Sequence, residues 1–368
     1  MTGLTGSIID DMAFRAEMSG LAEQVKACLA DDLRQHGSVL PPHLRQVSES
    51  YLAHTGKCLR PALLLLSCGA AGGTLKGALP AAAAVEMFHN WTLLHDDVID
   101  HDSFRRGRPT GHVLGASLEQ QDLQLPAAAA AEYGQSLAIL AGDLLQARAI
   151  NLLLSVNGQK DKVVIGLARR MAAKLTSEVL AGEQLDVQLS QTPFEQVKEA
   201  DVMEVMRLKT GALLSFCAET GVALAERRLP EDSSAAQGMA KFAELCGIAF
   251  QIQDDILGLS GDEETLGKPI GSDIREGKRT LLALRALKSC AERDRKTLLG
   301  ILGNAQADAG DIEKAREILL RSHSLDGVRE YSEDCVKQAM ALLEKHLPEN
   351  RWRNLLAAWA KSMTHRSV

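Results

Sequence analysis

Two stretches of this 368-residue chain end in paired aspartates. The first is Leu93-Leu94-His95-Asp96-Asp97-Val98-Ile99-Asp100, which closes an otherwise apolar run. On a helix, Asp96 and Asp100 lie one turn apart on one face, with Asp97 beside them. Three carboxylates this close repel one another unless a cation lies between them. Hard carboxylate oxygens suit Mg²⁺, which takes one or two protein carboxylates and fills its shell with water and phosphate oxygens. The run Arg105-Arg106-Gly107-Arg108 follows, with forked donors that match phosphate. Alone, the first cluster reads more readily as an acidic cap on a solvated helix end; with the apolar run before it and the cationic run after it, the two readings are even.

The second stretch, Phe250-Gln251-Ile252-Gln253-Asp254-Asp255-Ile256-Leu257-Gly258, is again an apolar helix ending in paired Asp. After it, Gly267-Lys268-Pro269-Ile270-Gly271-Ser272-Asp273 and Glu276-Gly277-Lys278-Arg279-Thr280 alternate glycine, acid and base. Glycine lets backbone approach a ligand closely, and lysine supplies a point charge for phosphate. Two further cationic elements are Gly56-Lys57-Cys58-Leu59-Arg60-Pro61 and Lys209-Thr210-Gly211. Each could be a solvated loop by itself. Two acidic helix ends and four basic elements together make a site for a diphosphate held by several Mg²⁺ ions.

The elements that must position these residues read as helices. Aromatic residues are 4% of the chain and there are 10 Pro, which disfavours a sheet protein. Helix formers fill most of the rest. Amphipathic or apolar helices are expected over 12–33, 42–54, 60–68, 80–101, 126–154, 160–189, 194–208, 211–226, 233–257 and 281–290, with several more in 310–361. Residues 69–77 read as a Gly-rich connection, Pro80 as a helix start, and 102–124 as a polar loop. No stretch alternates with period two and no linker splits the chain. The expectation is one all-α domain over residues 1–368 with ten or more helices.

Composition narrows the function. The net charge of -7 argues against a nucleic-acid partner bound through a general basic surface. The seven Cys are odd in number, widely spaced and without CxxC, as expected of buried thiols in a reducing cytoplasm. The first twenty residues lack the apolar core of a secretory signal. The unbroken apolar runs, Ala62–Leu66 and Pro80–Val85 among them, are too short to span a bilayer.

In order, GKCLRP, HDDVID with RRGRPT, LKTG, FQIQDDILG and GKPIGSDIREGKRT resemble the motifs of the trans-isoprenyl diphosphate synthases, the polyprenyl synthetase family, over roughly residues 50–345. The resemblance implies an all-α bundle around a central cavity, and a homodimer. It implies that Lys57, Arg60, His89 and Arg106 bind the diphosphate of isopentenyl diphosphate. Asp96, Asp97 and Asp100 would hold two Mg²⁺ ions on an allylic diphosphate (dimethylallyl, geranyl or farnesyl), and Asp254, with Asp255 and Asp273, a third. Arg105, Lys209, Lys268 and Lys278 would contact that diphosphate, and Thr210 and Gln251 would stabilise the carbocation. His89 lies two turns below Asp96 on the same helix face. Gly258 stands where many members carry a third Asp, and the stretch 113–124 looks longer than the usual connection, like a surface insertion.

In this family, bulk just before the first acidic motif limits the growing tail. Trp91 stands five residues before Asp96 and Thr92 four before, with nothing inserted in DDVID. This resembles the archaeal-type geranylgeranyl synthases and implies a C20 product, with C15 the alternative because Trp is bulky. Phe88 and Thr92 lie nearer the Asp96 face than Trp91, so the floor is shared among the three. A class I terpene cyclase would not need GKCLRP or GKRT, and a non-catalytic partner subunit would have lost its acidic motifs.

Overall fold

A computed structural model describes residues 11–53, 56–122, 124–260, 271–304 and 306–364. Among them helix dominates, and the one sheet is a two-stranded hairpin. The chain forms α1 (Asp11–His36), α2 (Pro42–Ala53), α3 (Leu59–Ala70) and α4 (Leu75–Ile99). Strands β1 (Phe104–Arg105) and β2 (Arg108–Pro109) follow, then α5 (Gly111–Asp122), α6 (Ala127–Leu154) and α7 (Asp161–Arg169). A π-helical segment (Arg170–Leu175) leads into α8 (Thr176–Gln191). Next come α9 (Glu199–Val205), a second π-helical segment (Met206–Gly211), α10 (Ala212–Glu226) and α11 (Ser234–Ser260). The remainder is α12 (Ser272–Glu276), α13 (Leu281–Ser289), α14 (Glu292–Ile301), α15 (Ala309–Arg321), α16 (Ser324–His346) and α17 (Arg351–Lys361).

The expected all-α class stands, with three local corrections. Residues 69–77 are not one connection, since Gly69 and Ala70 still belong to α3 and Gly77 lies inside α4. Pro80 sits within α4 rather than starting it. Its place near the N-terminus confines the loss to one intrahelical bond, to the carbonyl of Lys76. The polar stretch 102–124 holds the hairpin and all of α5. That helix escapes a composition-based reading because its inner face carries Gly111 and Gly115 rather than large apolar residues.

The chain divides into two compact units with interleaved segments. The first comprises residues 1–174, 216–240 and 344–358. Here α4 packs on α1, α3 and α6, and α5 packs on α6. Close approach needs glycine at two crossings. A Cβ on Gly134 of α6 would collide with the backbone of α5 at His112, and one on Gly221 of α10 with the backbone of α3 at Leu64. Residues 113–122 of the expected insertion thus belong to α5, an integral helix of this unit with Gly115 and Glu119 buried.

The second unit comprises residues 175–215, 241–343 and 359–368. In it α8 and α9 pack on the second π-helical segment, and Phe242 meets Trp359 at 6.4 Å between ring centroids. At 28 residues, α6 is long and apolar enough to cross a membrane, although half of its most apolar stretch is buried in the protein. Counting only unbroken apolar runs misses this, because Gly, Gln and Asp interrupt the helix.

Candidate active site

In the first unit, α4 carries the first acidic motif at its C-terminal end. Asp96 and Asp100 lie one turn apart, both half-buried. Asp97 points elsewhere and is wholly buried. Its Oδ1 accepts from Arg105 Nε at 2.6 Å, and its Oδ2 accepts from the Tyr51 hydroxyl. Arg105 also donates through Nη2 to Asp96 Oδ2 at 3.1 Å. Burial raises the Asp97 carboxyl, while Arg105 and Tyr51 favour its charged form. Burial, and then Asp97 itself, push the Tyr51 phenol up, so Tyr51 stays a donor. The same hydroxyl accepts from Gly111 N at 3.1 Å, which fixes the start of α5.

The hairpin aims the arginines. Its register pairs Phe104 with Pro109 and Arg105 with Arg108, leaving Arg106-Gly107 as a two-residue turn. Both turn residues have positive φ, 54° and 71°, as a type I′ turn requires. A non-glycine residue there is strained. The strained Arg106 packs its guanidinium over Gly56, where a Cβ would stand 2.9 Å from Nη2. Cys58, two residues on, is also left-handed at φ 48° and precedes α3. Thr110 ties the far end of the hairpin to the turn between α4 and β1, donating from Oγ1 to the Asp102 carbonyl at 2.7 Å.

Arg60 and His89 come together, with Arg60 Nη1 donating to His89 Nε2 at 3.2 Å. Burial, then Arg60, Arg106 and Arg105, hold His89 well below its ordinary pKa, so the ring is neutral and can accept. One turn earlier, Glu86 is buried near Arg60 and Arg106. Burial pushes its carboxyl up while those arginines and Lys26 pull it down. The sequence reading missed Glu86, although its spacing of three from His89 puts it on the same face. Lys57 is exposed. Phe88 and Trp91 are buried in edge-to-face contact, and the Thr92 hydroxyl donates to the His89 carbonyl at 2.7 Å.

In the second unit, the second π-helical segment presents Lys209 and Thr210. Lys209 Nζ lies 2.9 Å from Glu183 and 2.8 Å from Asp186 on α8. These two acids were also missed, although their i, i+3 spacing marks one face of that helix. Thr210 Oγ1 donates to Gln251 Oε1 at 3.1 Å, and Gln251 Nε2 donates to Asp255 Oδ1 at 3.1 Å. The proposed carbocation pair is therefore one connected chain ending on the second acidic motif. Asp254 is half-buried on α11. Burial, and then the neighbouring Asp273, raise Asp255 well above the ordinary carboxylate range. Asp273 Oδ2 comes within 3.2 Å of where a Cβ on Gly258 would stand, so its carboxylate lies beside that glycine. Lys278 Nζ lies 3.5 Å from Asp273 and from Glu276. Lys268 lies outside the described residues.

These donors suit a hard divalent cation. Among the described residues no three acidic, His or Cys side chains close into a metal cage. Mg²⁺ typically takes one or two protein carboxylates and completes its shell with water and phosphate. The repulsion between Asp255 and Asp273 is what a cation beside them would relieve.

The family profile described as polyprenyl synthetase matches residues 41–319. A short chain isoprenyl diphosphate synthase of Methanocaldococcus jannaschii is 38% identical over 75% of this chain and 76% of its own. A geranylgeranyl diphosphate synthase of Sulfolobus acidocaldarius is 33% identical over 91% and 92%. Among solved structures, a geranylgeranyl pyrophosphate synthase of Corynebacterium glutamicum, complexed with isoprenyl diphosphate and magnesium, superposes with a TM-score of 0.83 at 26% identity, covering 97% of this chain and 100% of that one.

Proposed function

The chain belongs to the polyprenyl synthetase family, and on that premise we propose that it joins isopentenyl diphosphate head to tail to an allylic diphosphate, giving all-trans geranylgeranyl diphosphate. It is a prenyltransferase of the short-chain class. The carrying observation is the cationic station in the first unit, Arg60 bonded to a neutral His89, with Arg106 over Gly56. A terpene cyclase has no second diphosphate for such a station. Isopentenyl diphosphate is assigned to Lys57, Arg60, His89 and Arg106. Arg105, Lys209, Lys268 and Lys278 are assigned to the allylic diphosphate.

Divalent metal is part of the reaction, and we assign three Mg²⁺ ions. Asp96 and Asp100 would hold two, with Asp97 held back as the brace of Arg105; Asp254, Asp255 and Asp273 would hold the third. Bound Mg²⁺ supplies charge neutralisation for the departing diphosphate. The chain's own cations add fixed stabilisation where that charge develops. The Thr210 and Gln251 oxygens are dipoles held ready for the allylic cation. Exclusion of water keeps the cation from being quenched.

Trp91, buried against Phe88, supports a tail stop at C20; C15 is the alternative its bulk allows. We read the interleaved segments as one domain, placed in the cytoplasm, where seven cysteines outside any disulfide are stable. We also read the protein as a homodimer. Its support is the solvent-facing side of α6, which exposes Ile139, Leu140 and Leu154.

The test is turnover of isopentenyl diphosphate with dimethylallyl, geranyl and farnesyl diphosphates. A C20 product is expected, with activity lost on chelation of Mg²⁺. A C15 end product selects the alternative length. Hydrocarbon formed without isopentenyl diphosphate would indicate a cyclase, and no turnover of any primer a partner subunit.

A further inference from the structure

His95 has no part in the roles assigned above, yet it touches Trp91. The Trp91 indole Nε1–H is buried with no hydrogen-bond acceptor. No polar bond from the indole fixes this ring, so its ring neighbours set where it lies. They are Phe88, with centroids 4.8 Å apart at 79°, and His95, 5.9 Å apart at 74°. Edge-to-face aromatic contacts of this kind favour one ring orientation over others.

His95 is itself anchored to a different helix. A carbonyl can only accept, so His95 Nε2 carries the hydrogen and donates to the Ile139 carbonyl of α6 at 3.1 Å. The Asp143 carboxylate lies 3.8 Å from the same nitrogen. The imidazole lies against Gly142, where any Cβ would collide with it. The missing side chain on α6 thus makes the seat for the ring.

We propose that His95 is a positioning residue for product length, tying the α6 backbone at Ile139–Gly142 to the Trp91 ring. The depth available to the growing tail is then set by α6 as well as by α4. This rests on Trp91 being the tail stop. Removing the imidazole leaves space beside the indole, which relaxes into it and deepens the pocket.

The experiment compares product lengths from the full-length parent, Trp91→Ala, His95→Ala and His95→Phe. His95→Ala is expected to lengthen the main product by one five-carbon unit. His95→Phe, which keeps a ring edge against Trp91, is expected to retain the parental length. A merely structural His95 would lower the melting temperature of both variants without moving chain length. If Trp91→Ala lengthens the product and His95→Ala does not, the inference is overturned and the tail-stop reading survives. If His95→Phe lengthens the product as much as His95→Ala, the ring contact is not the device. An unchanged product from Trp91→Ala removes the tail-stop reading itself.

Discussion

Asp97 shows how far a motif can be read from neighbouring letters. In sequence it is one of three equivalent carboxylates. In the fold it is the buried one, with Tyr51 on one oxygen and Arg105 on the other. Nothing near Asp97 in sequence marks Tyr51, which lies 46 positions earlier. By contrast, Asp96 with Asp100, and Arg60 with His89, follow from helical spacing and motif order. Tyr51→Phe would remove one of two partners from a buried carboxylate. Its expected cost is about 1–3 kcal/mol of stability, read as a lowered midpoint in urea. Because Arg105 also braces Asp96, a higher Mg²⁺ requirement for turnover should accompany it. A variant with parental stability and Mg²⁺ dependence would show that Arg105 alone holds the motif.

At the scale of elements, periodicity recovered the long helices and missed what periodicity does not encode. Helix α5 was hidden because glycine, not leucine, lines its contact with α6. The second π-helical segment was hidden because a widened turn leaves composition unchanged. Yet that segment delivers Lys209 to Glu183 and Asp186 and Thr210 to Gln251. Its closeness to α8 depends on Gly182, where a Cβ would stand 2.5 Å from Lys209 N. Gly182→Ala must push the segment outward, at about 1–3 kcal/mol for overpacking. A displacement near 1 Å of Lys209 and Thr210 should lower kcat on the order of 10²-fold. Steady-state kinetics beside a thermal melt would separate the two effects. Full kcat with lowered stability would mean that Lys209 is not positioned by this contact.

The whole molecule was legible in class and family, not in its division. Residues 1–174 need 216–240 and 344–358 to complete their unit, a pairing that no local pattern announces. One domain should melt in one cooperative transition, and a homodimer should have twice the 39.7 kDa chain mass. Leu140→Glu puts a charge on the exposed face of α6, and light scattering should then find the single-chain mass. A dimer unaffected by Leu140→Glu would place the interface elsewhere. The interleaving also orders events on the ribosome. Translation passes through more than a hundred residues of the second unit before the last strip of the first emerges. At 5–20 residues per second that is on the order of ten seconds. Throughout that interval the surfaces that 344–358 will cover stay open, which makes the nascent chain a natural client for chaperones and ties completion of the unit bearing the first acidic motif to synthesis through residue 358.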